Sequence, residues 1–371
     1  MIATDSYLLQ CLKIASELRA QDLFLKSGQV PRVRIGSDVF PIDAAPVDEA
    51  RLYAIFKSVT TSYHEGQLKI ERSVDFSFAV PEFGFRFRGN AFYQQSQLSV
   101  VLRLLWKGIP SFDDLQLPDI LKKVALEKSG IILVAGVVSS GKSTTIAAMV
   151  NAINDNLKKH IITVEDPIEF VHPDKLSLIE QREIGTDTKD FDSALKYVVR
   201  QSPDVVVIGE MRDAETLKFA LNAAEVGRLV ISTVHAQSVT QIFDRILGFF
   251  KQDERDAVLR HFAMNMSCLM VQKLLVGKDG KSLLPATEIL IGNYTMKKLV
   301  MDKEFEKIHQ ALVNSGHDGM QTLDQSLLAM YQKNLITKET AVQNARRPVE
   351  MEKMMQGIVF TSSSGGKILG G

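Results

Sequence analysis

Cysteine is nearly absent: Cys11 and Cys268 are the only two in 371 residues. They are too few for a disulfide scaffold and too far apart for a zinc ribbon, so no zinc is expected. An excess of one charge is also missing, because 44 Lys and Arg balance 44 Asp and Glu. A chain held chiefly by nucleic-acid phosphates usually shows a basic excess, so no nucleic-acid partner is expected. Long apolar runs are lacking too. The longest near mid-chain covers residues 131–138, whereas a membrane span needs about 20 residues. The N-terminus carries Asp5, Glu17 and Asp22 and no signal-peptide pattern. What is present is ordinary globular material, 45% hydrophobic and 24% charged, with enough apolar surface to offset ordering entropy. At about 150 residues per domain the length allows two or three folding units. The expectation is a cytoplasmic, soluble, two-domain protein.

The first 105 residues read as an α+β domain. Leu8, Leu9, Leu12, Ala15 and Leu18 recur at helical spacing over residues 6–20, and a second helical pattern over 51–68 places Leu52, Ile55, Phe56 and Val59 on one face. Then the period changes to two. Val74, Phe76 and Phe78 alternate with Asp75 and Ser77, a turn is expected at residues 81–84, and Phe85 and Phe87 alternate with Arg86 and Arg88. With residues 98–105 this predicts antiparallel strands, the aromatic stripe being core. Residues 106–118 hold Gly108, Pro110 and Pro118 and read as a linker. From 119 to 357 the pattern is α/β. Apolar runs at 131–135, 161–164, 205–208 and 229–234 alternate with helical segments, which indicates a parallel sheet covered on both faces. Past Asp253 the chain reads as mainly helical, most clearly over 257–275 and 323–333. The Ser- and Gly-rich end, 358–371, reads as a disordered tail.

The strongest chemical signal is Gly136-Val137-Val138-Ser139-Ser140-Gly141-Lys142-Ser143, which fits G-x-x-x-x-G-K-S between a buried strand and a helix. Glycines let backbone N–H groups approach phosphate oxygens, and the helix N-terminus adds a favourable dipole. The loop residues Gly136, Ser139, Ser140, Gly141, Lys142, Ser143 and Thr144 are therefore the expected ATP contacts. Lys142 is assigned to the β- and γ-phosphates and the Ser143 hydroxyl to Mg²⁺. In a parallel α/β sheet ligands bind beyond the carboxyl ends of the strands. The other three apolar runs end at Glu165-Asp166, Gly209-Glu210 and His235. The expectation is that loop, acids and histidine converge at one sheet edge. Phosphoryl transfer needs a carboxylate to hold metal or orient water. Glu210 takes that place, Glu165 shares metal or water positioning, and His235 senses the γ-phosphate.

At these residues a family resemblance enters. Residues 163–170, Thr-Val-Glu-Asp-Pro-Ile-Glu-Phe, resemble the Asp box of secretion and type IV pilus motor ATPases. Gly209-Glu210-Met211-Arg212-Asp213 resembles their Walker B ending, and residues 227–236 are similar to their His box. Residues 319–327 resemble a segment of the pilus retraction ATPases, the PilT/PilU group. The resemblance covers roughly residues 5–350. It implies a RecA-like P-loop ATPase core, a smaller PAS-like N-terminal domain and a homo-hexameric ring working at subunit interfaces. It also implies a pilus platform protein of the inner membrane as partner, with a second retraction ATPase as a further one, and a place at the inner face of that membrane. A ring interface wants a guanidinium from a neighbour; the candidates are Arg88 and Arg103 on the N-terminal sheet and Arg182 and Arg200 in the ATPase domain.

The sequence departs from the family pattern in three places. Ser139 stands where the family usually has Gly, with Val137 and Val138 in place of Pro/Thr; Gly227 is followed by Arg228 instead of His; and residues 295–302, Thr-Met-Lys-Lys-Leu-Val-Met-Asp, lack two arginines of a helical motif. Alternatives to a retraction motor are an accessory or regulatory ring subunit with weak hydrolysis and a pilus-assembly or secretion ATPase. The latter usually has a further N-terminal domain and a zinc-binding cysteine tetrad. A DNA-translocating ring is disfavoured by the balanced charge.

Overall fold

The computed structural model describes residues 5–80, 85–105 and 108–356. The expected turn at 81–84, the first two linker residues and the tail at 358–371 lie outside the described residues. The chain divides into two compact units, one formed by residues up to Pro110 with Val150–Glu210, the other by Ser111–Met149 with the chain from Met211 onward.

The first unit opens with the helix Ser6–Glu17, whose first-turn N–H groups at Tyr7 and Leu8 are capped by the Asp5 carboxylate. Leu8, Cys11, Leu12 and Ala15 form its buried face. Strands β1 (Asp22–Lys26), β2 (Arg32–Ile35), β3 (Asp38–Pro41), β4 (Ser73–Val80), β5 (Phe85–Gln94) and β6 (Gln97–Leu105) form a six-stranded antiparallel sheet of order β3-β2-β1-β6-β5-β4. The aromatic stripe is core, as its alternation predicts: Phe76, Phe78 and Phe87 are buried, with Phe78 and Phe87 stacked at 5.1 Å. Gly89 makes this possible, since a Cβ there would lie 2.2 Å from the Phe76 ring.

Details of the first unit differ from the sequence reading: the helix expected over residues 6–20 ends at Glu17, and Leu18, expected on its apolar face, is exposed beyond it. The single helical pattern over 51–68 is two helices, Glu49–Ser58 and Ser62–Glu71. Thr61 breaks it, because it starts the second helix through a capping box with His64. Strands β1 to β3 were not legible either. They are four or five residues long, and β3 is exposed throughout, so no apolar alternation marks it.

The same unit contains β8 (His160–Glu165), β9 (Leu178–Glu183) and β10 (Val205–Ile208), parallel and in the order β10-β8-β9. In the second unit β7 (Gly130–Ala135) lies between β11 (Leu229–Val234) and β12 (Met266–Val276), both parallel to it, and β13 (Leu283–Ile291) pairs antiparallel with β12. The four predicted apolar runs are all strands, and the α/β class with a parallel sheet holds. The helical reading past Asp253 is corrected: 257–275 is the end of the helix Arg255–Asn265 followed by β12. Nearly every residue of β12 from Met266 to Val271 is buried, and a continuous apolar run does not reveal its period. The helix Leu323–Gln332 is as expected.

Candidate active site

The phosphate-loop sequence forms a loop between β7 and the helix Lys142–Asn156. Its glycines are needed for their backbone. Gly136 has φ +155° and Gly141 φ +84°. A Cβ on Gly136 would lie 2.6 Å from the Gln272 carbonyl oxygen. Ser139 has φ +63°, in the left-handed region where a non-Gly residue costs about 1–2 kcal/mol. That conformation is the physical reason a glycine is the usual residue there. Lys142 Nζ donates to the carbonyl oxygens of Gly136 (3.0 Å) and Val137 (2.9 Å). Its ammonium thus caps the loop mouth from the position where phosphate oxygens would compete for it. Ser143 is exposed and Thr144 half-buried at the helix start, and the buried Ser140 hydroxyl has no hydrogen-bond partner. Open backbone curvature, an ammonium at the loop and hydroxyls at a helix N-terminus fit a nucleoside triphosphate with its Mg²⁺.

The register of β7 fixes what flanks the loop. Ala135, its last residue, pairs with Val234 of β11 and with Val271 of β12. His235 and Gln272 therefore follow immediately on either side of Gly136. His235 is exposed. Gln272 was not found from the sequence, because its strand was read as helix; the signal was a lone amide in an apolar run. It is buried, its Nε2 donates to the Ser140 carbonyl (2.8 Å) and its Oε1 accepts from Thr145 Oγ1 (2.7 Å). One side chain thereby ties the end of the loop to the first turn of the following helix. Gln272→Ala leaves two buried groups unpaired, a cost of about 1–3 kcal/mol. We expect the ATP dissociation constant to rise on the order of tenfold, since about 1.4 kcal/mol is a factor of ten. Titration with a fluorescent ATP analogue checks this, and an unchanged constant with only a lowered Tm would reduce Gln272 to a packing residue.

In the first unit Glu165 ends β8 and Gly209-Glu210 follow β10. The Gly209 N–H donates to the Val164 carbonyl at 2.8 Å, so the two acids leave the sheet side by side. Glu165 Oε1 accepts from Thr163 Oγ1 (2.6 Å) and Gln181 Nε2 (3.1 Å). Burial raises its carboxyl above the usual range, against those two hydrogen bonds, which lower it. Glu210 is half-buried. The Asp box is gripped from β5 and β9. Glu183, almost fully buried, accepts through Oε2 from the Ile168 N–H (3.0 Å), Ser77 Oγ (2.6 Å) and Arg86 Nη2 (3.1 Å), while Arg86 Nε donates to the Ile168 carbonyl (3.3 Å). Neither Glu183 nor Arg86 was assigned a role from the sequence: Glu183 lies in a polar stretch without a motif, and Arg86 reads as the polar face of an alternating strand.

The four candidate arginines occupy different settings, all in the first unit. Arg88 and Arg103 are direct cross-strand partners on β5 and β6. Arg103 is held by the buried Asp22 at 2.9 Å, whereas Arg88 reaches only Glu169 at 3.8 Å and Asp75 at 3.9 Å. Like charges directly opposite are unfavourable, and these carboxylates offset the two guanidiniums. Arg182, paired with Val164 across β8 and β9, donates to the Asp187 carbonyl (3.2 Å) and keeps a buried Nη1 without a hydrogen-bond partner. Arg200 is exposed in the 3₁₀ turn Val199–Gln201.

Comparison with known proteins gives the arrangement a context. Residues 74–347 match the family model of the Type II/IV secretion system protein. The chain is 34% identical to the type IV pilus ATPase PilU of Pseudomonas aeruginosa, over 93% of this chain and 90% of that one. It is 35% identical to the type IV pilus retraction ATPase PilT of the same organism, over 91% and 98%. The crystal structure of a pilus retraction motor PilT with bound ADP superposes with TM-score 0.85 at 37% identity, covering 94% of this chain and 99% of that one.

Proposed function

Because the chain belongs to the Type II/IV secretion system protein family and, within it, to the pilus ATPases of the PilT/PilU group, we propose that it works as a hexameric ring whose ATP hydrolysis drives type IV pilus retraction. It is an ATPase of the type II/IV secretion class. The observation that carries the reading is the phosphate loop, with φ +155° at Gly136 and +84° at Gly141 directly before the helix that starts at Lys142. In this reading the loop N–H groups and Lys142 hold the β- and γ-phosphates. Ser143, Glu165 and Glu210 would hold Mg²⁺, which supplies charge neutralisation across the phosphates. Glu210 orients the attacking water, His235 reads the γ-phosphate, and an arginine from a neighbouring subunit completes the site. A membrane-embedded platform protein is the proposed load, with a second retraction ATPase as a further partner, at the cytoplasmic face of the inner membrane. Among the described residues no helix is long and apolar enough to cross a membrane.

Glu210→Gln is the test. The purified variant is expected to bind ATP like the parent and to turn it over on the order of 10²-fold more slowly, the scale lost with a positioned acid–base group. Cells carrying it should keep surface pili and lose twitching. Wild-type twitching in those cells would remove retraction from the proposal, and lost nucleotide binding would take the water-orienting role from Glu210 and leave it only a metal-holding or structural one.

A second reading, an accessory ring subunit with weak hydrolysis, draws on Ser139 at φ +63°. A loop that must hold a side chain in the left-handed region opens more readily than one with glycine. The steady-state turnover number of the purified ring separates the two.

A further inference from the structure

The segment that follows His235 is clamped by two side chains that the proposed chemistry does not use. Glu288, on β13, is only 2% exposed, and its Oε1 accepts the Val239 N–H at 2.9 Å. Arg346, in the turn between the helices Lys338–Asn344 and Pro348–Met355, donates through Nη2 to the Gln237 carbonyl at 3.1 Å. The two clamps are joined, since Arg346 Nη2 lies 2.6 Å from Glu288 Oε2; the approach is outside hydrogen-bond geometry, so this contact is an ion pair. Around it, the Gln237 N–H donates to Gln241 Oε1 (2.9 Å) and Ser238 caps the helix Val239–Leu247. Glu288 also places a negative charge at that helix's N-terminus, where it is favoured.

A buried ion pair is a poor source of stability, because its desolvation roughly cancels its attraction. Its position gives a better account of it. A cavity of about 420 Å³ is lined by Gly136 and Val137 of the phosphate loop together with Gln237, Lys273, Asn344 and Arg346. The Arg346 backbone N–H is bound by Asp324 Oδ1 (2.8 Å) in the first turn of the helix Leu323–Gln332. Arg346 therefore touches, at once, the C-terminal helices, β13, and the segment two residues beyond His235.

We propose that Glu288 and Arg346 are a positioning pair that holds the 235–239 segment, and with it His235, beside the phosphate loop, so that the packing of the C-terminal helices sets the rate of ATP hydrolysis. This rests on the reading that His235 acts at the γ-phosphate. The helical end then serves as an input to the site: whatever displaces the turn at Arg346 loosens the histidine without touching the phosphates.

The decisive variant is Arg346→Lys in the full-length protein. Lysine keeps the charge that neutralises Glu288 but replaces the rigid, planar guanidinium, whose Nη2 meets both the Gln237 carbonyl and Glu288 Oε2, with an ammonium on a flexible stem. The expected result is a kcat lowered about tenfold, an affinity for a fluorescent ATP analogue within about twofold, and faster hydrogen exchange confined to residues 236–241. Glu288→Gln, which keeps an oxygen for Val239 and drops the charge, should show the same split if Arg346→Lys does not fold. Wild-type kcat and exchange in either variant would overturn the proposal. So would a parallel fall of kcat, nucleotide affinity and Tm, which is the behaviour of a general prop. If the parent protein failed to hydrolyse ATP, the proposed function would fall, and hydrogen exchange would still decide whether the pair holds the segment.

Discussion

Lys142→Ala protein is expected to lose ATP turnover by on the order of 10²–10³-fold, the scale at which removal of one preorganised charge-stabilising donor acts, and to bind ATP more weakly. Lys142 Nζ rests on the carbonyl oxygens of Gly136 and Val137, a pair of neutral acceptors that phosphate oxygens outcompete. The loop has other determinants of its shape. Its curvature comes from Gly136 and Gly141, and its end is tied by Gln272 to the following helix. The loss therefore belongs to charge at the phosphates, and an unchanged circular dichroism spectrum and Tm should accompany it. Steady-state phosphate release measures the first quantity and analogue titration the second. Full turnover in this variant would move the active site away from the loop.

Much of the machinery was legible because its constraints are local. A phosphate loop needs glycines at fixed offsets, and Gly136 and Gly141 have positive φ where the motif places them. Strands β7, β8, β10 and β11 were readable because they are apolar and short, bounded by loops with chemical residues at their carboxyl ends. What escaped was set by tertiary contact. Gln272 is polar inside a buried strand, a placement that only its two partners explain, and the run around it carries no period. Glu183 gathers its donors from Ser77, Arg86 and Ile168, residues up to 106 positions away in sequence. Glu288 and Arg346 are 58 positions apart (346 − 288), and neither belongs to a motif. The edge strand β3 is exposed over its whole length, so no hydrophobic pattern could mark it. The break at Thr61 was visible in principle, as Thr-x-x-His at a helix start, yet histidine is not the usual partner in a capping box.

The sheet register also changes the order in which the arginines should be tested. By position in the sequence Arg200 would come first, because it lies just before β10 and three residues from Pro203. In the structure Arg88 and Arg103 stand directly opposite each other on neighbouring strands; Arg103 is held by Asp22 at 2.9 Å, whereas Arg88 meets Glu169 and Asp75 only at 3.8 and 3.9 Å. Two guanidiniums held side by side can offer a phosphate more donors than a single exposed arginine, so this pair is tested first.

Mixing two inactive proteins distinguishes a shared arginine from one that serves its own subunit. Let Arg88→Ala/Arg103→Ala protein be combined in equal amounts with Lys142→Ala protein. In a head-to-tail ring each interface is heterologous, so loop and arginine come from different faces. If the arginines act on the neighbour's nucleotide, an interface is competent when an arginine variant supplies the loop and a Lys142 variant supplies the guanidinium. Random assembly makes that one half times one half, about a quarter of interfaces, and activity should return from background to a substantial fraction of the parent's. If the arginines act within their own subunit, every site carries one defect and mixing restores nothing. Arg200→Ala and Arg182→Ala, each mixed in the same way, provide the comparison: recovery with Arg200→Ala alone would return the role to the 3₁₀ turn before β10. Mixed rings must be shown by native mass measurement, because separate homomeric rings would imitate the second outcome. Given mixed rings, absence of recovery for all four arginines means that hydrolysis here needs no guanidinium from a neighbour, and the ring would have to be justified by mechanics instead of by chemistry.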